Sequence, residues 1–314
     1  MVHEINGRKE GGPGGPGAPT QVAVPTLAGA DWAVGTPLGT GKLNSITAGL
    51  VSVGFAQVTV GTGGAIYSSI EPGALAARTN PSAPTDLNAV WYANPGFVAA
   101  GASGTMLYSA DATTWTAQTS GTTATLFAGT SAITTGYVAV GAGGILISSL
   151  DGKTWSAGTS GTTNDLYGAG FGAGRYLAVG ARGTMVTSTD GATWSVIAPV
   201  TSKDLLGVTY GLLSSTPTTG TNLYVAVGAA GTVLTSSDGV TWTAQAPFTT
   251  GDLTGVAYGG QFVAVGSAGS IYTSPDGVTW TARTSGTTNN LTSVVRTLSG
   301  YSVVGDKGTN LSTF

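Results

Sequence analysis

The chain has no cysteine, one histidine and three glutamates, and only 8% of its 314 residues are charged, against roughly a quarter in ordinary domains. Without cysteine there is neither a disulfide nor a thiolate metal site. With His3 as the single imidazole, Ser-His-Asp chemistry and histidine-based metal centres are both excluded. The net charge is −3, and the 11 lysines and arginines are scattered. No basic patch exists to neutralise phosphates, so nucleic-acid binding is not expected. No run approaches the ~20 apolar residues of a membrane span. The opening, MVHEINGRKEGGPGGPGAPT, has no apolar segment of the kind that makes a secretory signal.

What the chain has instead is a phrase that returns every 38 to 48 residues. Its cleanest copy is YVAVGAAGTVLTSSDGVTWTA, from Tyr224 to Ala244, and it recurs from Phe97, Tyr137, Tyr176 and Phe262. One glycine of the phrase, at Gly61, Gly101, Gly141, Gly180, Gly228, Gly266 and Gly305, counts seven units. A period of about 40 residues made of short strands belongs to a radial or stacked architecture, because one such unit cannot bury its own faces. In the sixth unit the strands read Leu253–Tyr258, Phe262–Gly266, Ser270–Ser274 and a fourth beginning at Thr279-Trp280. Asp151-Gly152, Asp190-Gly191, Asp238-Gly239 and Asp276-Gly277 are favoured dipeptides for tight turns. No stretch reads as a helix. Four antiparallel strands repeated seven times predict an all-β, seven-bladed β-propeller, since closing a ring leaves only short, protected edges. The seventh unit stops at Phe314 before its tryptophan strand, and Asp31-Trp32-Ala33-Val34 matches the missing piece. An N-terminal strand is therefore expected to complete the last blade of a propeller spanning residues 21–314, behind a Gly/Pro-rich arm of residues 1–20.

Trp32, Trp115, Trp155, Trp194, Trp242 and Trp280 hold equivalent places and are expected to be buried staples. The first unit carries Ser69-Ile70-Glu71-Pro72-Gly73-Ala74-Leu75 there, with no tryptophan, so blade 1 is expected to be the least well stapled. Ala48, Ala89, Ala128, Gly168, Gly207, Gly255 and Ser293 are the small residues expected beside the axis. The motif S-x-D-G-x-T-W resembles the Asp-box of sialidases, one residue shorter between Asp and Trp. The resemblance implies a surface hairpin whose Ser and Asp oxygens accept backbone N–H groups of the turn, a structural role. A sialidase would also need an arginine triad, a Tyr/Glu nucleophile pair and an acid Asp. Arg8, Arg78, Arg175, Arg182, Arg283 and Arg296 occupy different places in their units, Glu4 and Glu10 lie in the arm, and Glu71 replaces a turn. The glycine-rich stretches join strands and never open a helix, so they are not phosphate loops. The expectation is a protein with no enzymatic activity, no catalytic residue and no cofactor.

One constellation remains. The residues assigned to the place before each first-strand leucine are Ser45, Asp86, Thr125, Asp165, Asp204, Asp252 and Asn290. Repetition puts them on one rim of the central channel, where Asp86, Asp165, Asp204 and Asp252, with Asn290, form a candidate site for a cation or for sugar hydroxyls. The other reading is that each acid caps its own loop. The insertion GLLSSTPTTGTN, residues 211–222, interrupts the sevenfold sameness and is the alternative place for a partner.

The Thr/Ser-rich exterior without an export signal suits a component made in a host cytoplasm and met outside only after lysis. The texture of residues 30–314 resembles phage virion and tail-associated propellers. Seven-bladed sugar-binding lectins also match in blade number, while photosystem assembly factors of related build use an arginine-rich patch that is missing here. The phage resemblance implies a non-enzymatic structural or adhesion protein of the bacteriophage tail or capsid. Such a protein would lie in the virion, contact other virion proteins through residues 1–20 and present the propeller to a host-surface glycan. Pro13, Pro16 and Pro19 of the GGP-GGP-GAP run reduce the entropy lost on docking and are the candidate anchors; a flexible linker is the other reading of the run. A secreted or cell-surface lectin is the alternative function, and it leaves the missing signal unexplained.

Overall fold

The computed structural model describes residues 32–82, 84–132, 135–213 and 221–313. They form seven four-stranded antiparallel sheets, each a blade of a β-propeller. Blade 4 is representative, its strands running outward from the axis as Leu166–Gly172, Arg175–Gly180, Met185–Ser188 and Ser195–Ile197. The ring is closed by contact between Leu43–Val51, the first strand of blade 1, and Leu291–Arg296, the first strand of blade 7. Blade 7 draws its outermost strand from the other end of the chain, with Ala33 opposite Ser312 and Val34 opposite Leu311. Trp32, just ahead of that strand, is buried against Val263, Val265 and Ile271 of blade 6.

The alternation of strands makes two unlike ends. One end, called here the turn face, carries the hairpins between first and second strands and the Asp-Gly turns between third and fourth. The opposite loop face carries the blade-to-blade connections and, between second and third strands, a three-residue 3-10 turn that the sequence pattern does not reveal. In blade 4 this is Ala181–Gly183, with Arg182 held at a left-handed φ of 57°. The turn depends on the glycine that marks each repeat. A bulge between Leu166 and Gly168 brings the Asp165 carbonyl over Gly180, where any Cβ would run into that oxygen. The same carbonyl accepts the Ala181 N–H at 2.9 Å. Glycine recurs at this place because nothing larger fits.

Two strand assignments shift. In blade 6 the third and fourth strands are Ile271–Ser274 and Thr281–Arg283. Thr279 belongs to the turn, because its N–H is bonded to the Asp276 carboxylate. In blade 1 the small residue beside the axis is Ser45, opposite Val60, as Ala89 is opposite Ala100 and Gly168 opposite Val179. Ala48 lies three residues further along, opposite Gln57.

The tryptophans are staples between blades. Trp115 of blade 2 packs with Val58 and Val60 of blade 1, Trp155 of blade 3 with Val98 and Trp91 of blade 2, and Trp242 of blade 5 with Leu177 and Val179 of blade 4. Each reaches back to the blade before it. The expectation for blade 1 is corrected accordingly: blade 1 is itself covered by Trp115, and the seam without a tryptophan is the one between blades 7 and 1. There Leu43 and Ile46 meet Val304, and a polar relay runs from the Ser302 hydroxyl to Gln57 Oε1 at 2.8 Å and from Gln57 Nε2 to Glu71 at 2.7 Å.

Tyrosines repeat the backward reach on the turn face. Tyr137, Tyr176, Tyr224 and Tyr301, at the start of second strands, donate to carbonyls of Ala93, Gly136, Gly172 and Gln261 in the preceding blade at 3.1, 2.8, 2.5 and 2.7 Å. Blades 2 and 6 have Phe97 and Phe262 at that place. They use Tyr92 and Tyr258, at the end of the first strand, to reach the carbonyls of Leu50 and Leu212 at 2.7 and 2.6 Å. Burial pushes the hydroxyls of Tyr224 and Tyr301 up to about 12, so each keeps the proton it donates.

Burying a tryptophan removes roughly 150–250 Å² from water, about 4–6 kcal/mol as an upper estimate. A chain beginning at residue 37 loses Trp32 and the outer strand of blade 7 together. Its melting temperature is expected to fall by roughly 10 °C or more, and a calorimetric scan of the truncated chain showing an unchanged transition would overturn this account of how the ring is held.

Candidate functional site

The Asp and Asn residues assigned to the rim stand on the loop face, none of them among those lining the channel, and their geometry is that of a set of latches. Asp86 Oδ1 accepts the N–H of Gly63 at 2.7 Å, Asp165 that of Gly143 at 2.7 Å, Asp204 that of Arg182 at 2.8 Å and Asp252 that of Ala230 at 2.9 Å. Asn290 does the same for Ala268 at 2.9 Å. Every one of these N–H groups sits at the centre of the 3-10 turn of the preceding blade. The caps therefore tie one blade to the one before it, where the capping alternative placed each within its own loop. Ser45 does not belong to the set. Lys42 precedes Leu43 and supplies the equivalent carbonyl to Thr62 at 3.0 Å, while the Ser45 hydroxyl meets Val90. Thr125 contributes through its carbonyl, which accepts the Ala142 N–H at 2.9 Å. Among the described residues no three His, Cys, Asp or Glu side chains are grouped so as to hold a metal ion.

The hydroxyl-rich texture of the loop face has a local cause. In the T-S-G-T-T connections the Ser120 and Ser160 hydroxyls donate to the carbonyls of Gly104 and Gly144 at 2.6 Å. Thr122 and Thr162 accept the N–H groups of Ala124 and Asn164 at 3.0 and 3.1 Å. These hydroxyls satisfy loop backbone that water would otherwise have to serve.

On the turn face the S-x-D-G hairpins are fixed in the same currency of backbone N–H groups. Asp190 Oδ1 accepts Thr193 and Ala192 at 2.7 and 2.9 Å, and the Ser188 hydroxyl accepts Gly191 at 2.9 Å while donating to Asp190. In blade 1, where Glu71-Pro72 interrupts the motif, the buried Ser69 hydroxyl has no partner. The backbone donors of Thr193 and Ala192 pull the Asp190 carboxyl down to about 2, and those of Thr241 and Val240 do so for Asp238.

The concave features differ by face. The central channel holds about 180 Å³ lined by first-strand residues including Asn44, Tyr167, Thr254 and Thr292, below the usual ~300 Å³ lower bound of a ligand pocket. Open clefts of about 730 and 660 Å³ lie between blades on the loop face, bordered by Gly161–Asn164 and Gly121–Thr123. A cleft of about 450 Å³ lies on the turn face between the Asp-Gly hairpins of blades 3 and 4. Pro13, Pro16 and Pro19, the arm of residues 1–20 and the boundary at residue 21 lie outside the described residues, as does most of the 211–222 insertion, residues 214–220.

No family model matches the chain. No curated protein matches it either. Among solved structures it is similar to YCF48 bound to D1 peptide, with a TM-score of 0.71 and 18% identity over 93% of this chain and 97% of that one. It is also similar to YCF48 from Cyanidioschyzon merolae, with a TM-score of 0.69 and 17% identity over 90% and 99% of the two chains. At this identity the likeness shows the fold, a seven-bladed β-propeller. These matches correct the phage reading in all its parts: the virion or adhesion role, its lectin alternative, virion partners bound through residues 1–20, the host glycan, and a virion or extracellular location. The Asp-box and phage resemblances gain no support from them. The exterior that suggested those readings is a consequence of loop capping and carries no information about address.

Two outcomes follow for the carboxylates. Replacing Asp204 with Ala leaves the Arg182 N–H without its acceptor and is expected to cost about 1 kcal/mol, a few degrees in the thermal transition, with Asn restoring most of it. Equal melting of the Ala and Asn variants would show that the latch contributes nothing. Because Asp190 and Asp238 titrate lower in the fold than the ordinary 3.8, the stability they lend is complete above about pH 4 and is lost as pH falls towards 2. Asn at both positions should flatten the acid limb of a melting-temperature profile and leave the neutral region unchanged in slope.

Proposed function

We propose that this chain is a non-enzymatic binding propeller that docks a segment of a partner polypeptide on its turn face. The observation that carries the reading is the unequal character of the two ends. Seven of the ten exposed large apolar side chains among the described residues stand on the turn face: Leu50, Val53, Leu150, Leu212, Val240, Val278 and Leu298. The loop face is clothed in capped hydroxyls. Spread over five blades but confined largely to one end, these side chains make the turn face the better candidate of the two for a surface that is covered in use. The non-enzymatic part rests on the carboxylates: those of the latches and of the hairpins accept backbone N–H groups and serve as structural acceptors. A propeller of this build is also seen with a peptide in the YCF48 structure, which supports a polypeptide as the class of ligand.

The test is photo-crosslinking in the native cell, with a benzophenone amino acid placed at Val53 or Leu298 on the turn face and at Thr163 on the loop face. A discrete polypeptide adduct from the turn-face positions, absent from Thr163 and abolished by Leu50→Ser with Leu212→Ser, is the expected result. Adducts formed equally from both faces, or from neither, would refute the reading.

A further inference from the structure

Resting on that reading, we infer that the groove between the Asp-Gly hairpins of blades 3 and 4 receives a basic side chain of the partner polypeptide, an arginine or lysine next to an apolar residue.

Among the four S-x-D-G hairpins the second position is Thr189 in blade 4, Ser237 in blade 5 and Pro275 in blade 6, but Leu150 in blade 3; the variant hairpins of blades 1 and 2 carry Ile70 and Ala110 there, and the blade 1 hairpin lacks the aspartate. Leu150 is 85% exposed, the most exposed of the large apolar residues, and it stands in the wall of the groove. The same groove is lined by the carboxylates of Asp151 and Asp190, one from each hairpin, with Gly191 and Ala192 completing the second wall. Each acid uses Oδ1 to hold its own turn, and Asp151 Oδ2 also accepts the exposed Thr154 hydroxyl at 3.1 Å. The backbone donors that form those turns also keep both carboxyls ionised.

The nearest cation of the same hairpin is directed elsewhere. The Lys153 ammonium lies 5.3 Å from the ring centre of Tyr108 in blade 2. An apolar wall with a fixed carboxylate on either side, in a volume of about 450 Å³, matches a long aliphatic stem that ends in a positive charge. Charge complementarity selects Arg or Lys over a neutral side chain, and Leu150 adds the need for an apolar neighbour.

The experiment uses the full chain and two capped peptides, acetyl-Gly-Leu-Arg-Leu-Gly-amide and its twin with citrulline in place of arginine, which keeps the shape and removes the charge. Titration followed by nuclear magnetic resonance is expected to show saturable shifts at Leu150, Gly191 and Ala192 with the arginine peptide, weakening as salt rises. The citrulline twin should bind about tenfold more weakly or not at all. Leu150→Thr, which installs the blade 4 residue, should weaken binding about tenfold with unchanged melting. Asp190→Asn, which keeps a turn acceptor but removes the charge and the stability it lends, should weaken binding about tenfold in a chain that melts somewhat lower but is fully folded at the titration temperature.

Equal binding of the two peptides, or binding indifferent to both substitutions, overturns the groove assignment. Crosslinking from Val53 or Leu298 that persists in the Leu150→Thr, Asp190→Asn double variant leaves the docking reading intact and removes this groove from it. Failure of turn-face crosslinking in the unmodified groove defeats the docking reading itself.

Discussion

A four-stranded blade made of two- to nine-residue strands has two apolar faces and no means of covering either, and the whole molecule is organised around that shortage. Each seam from blade 1 through blade 7 is covered from the later blade, which sends an indole or its equivalent, a tyrosine hydroxyl and, in most cases, an Asp or Asn acceptor to the earlier one. The three contacts work at different heights of the seam. Tyrosine oxygens bind carbonyls at the turn face, the tryptophans pack the outer part, and the carboxylates hold the 3-10 turns at the loop face.

The seam between blades 7 and 1 is built from other parts. It has Leu43, Ile46 and Val304, with Tyr67 packed against them, for its apolar contact, and the Ser302–Gln57–Glu71 relay in place of an indole. It is also the seam beside the blade assembled from both ends of the chain. A polar relay is directional, and it fixes the relative height of two blades with less apolar area than a tryptophan needs.

The repeat, the blade count and the match of Trp32 to the missing piece of blade 7 were legible in the sequence, because periodicity and glycine placement are strictly local signals. The 3-10 turns were not, since their sequences, from ASG to ARG to DKG, share only the final glycine and the backbone carries the rest. The direction of the tryptophan contacts was equally hidden: a repeat pattern shows that blades touch without saying which of two neighbours a side chain meets. The tyrosine latches could have been found. Blades 2 and 6 pair Tyr92 with Phe97 and Tyr258 with Phe262, an exchange visible in the letters, although blade 5 carries tyrosine at both places, Tyr210 and Tyr224, and latches through the second. The place of the acids ahead of each first strand was readable, their task was not, and Ser45 was aligned with them although Lys42 holds that place. Their partners lie 22 or 23 residues upstream, so no reading confined to a single loop could have paired them. The exposed turn-face apolar residues leave only a partial trace: Leu50, Leu212 and Leu298 stand seven places after the first-strand leucine and Val240 and Val278 follow Asp-Gly, but in some units only.

Because every latch reaches from a later blade to an earlier one, the ring has a built-in chain direction that matches the order of synthesis. As each blade from the second to the sixth leaves the ribosome its indole and tyrosine find the preceding blade already made, and only the face of blade 1 that meets Val304 has to wait for the seventh unit. Ala33–Val34 waits too, since its partners Leu311 and Ser312 follow the other blades in the chain. That strand waits through the synthesis of the entire propeller, and its length of two residues is the safeguard: an edge so short offers neighbouring nascent chains almost nothing to pair with.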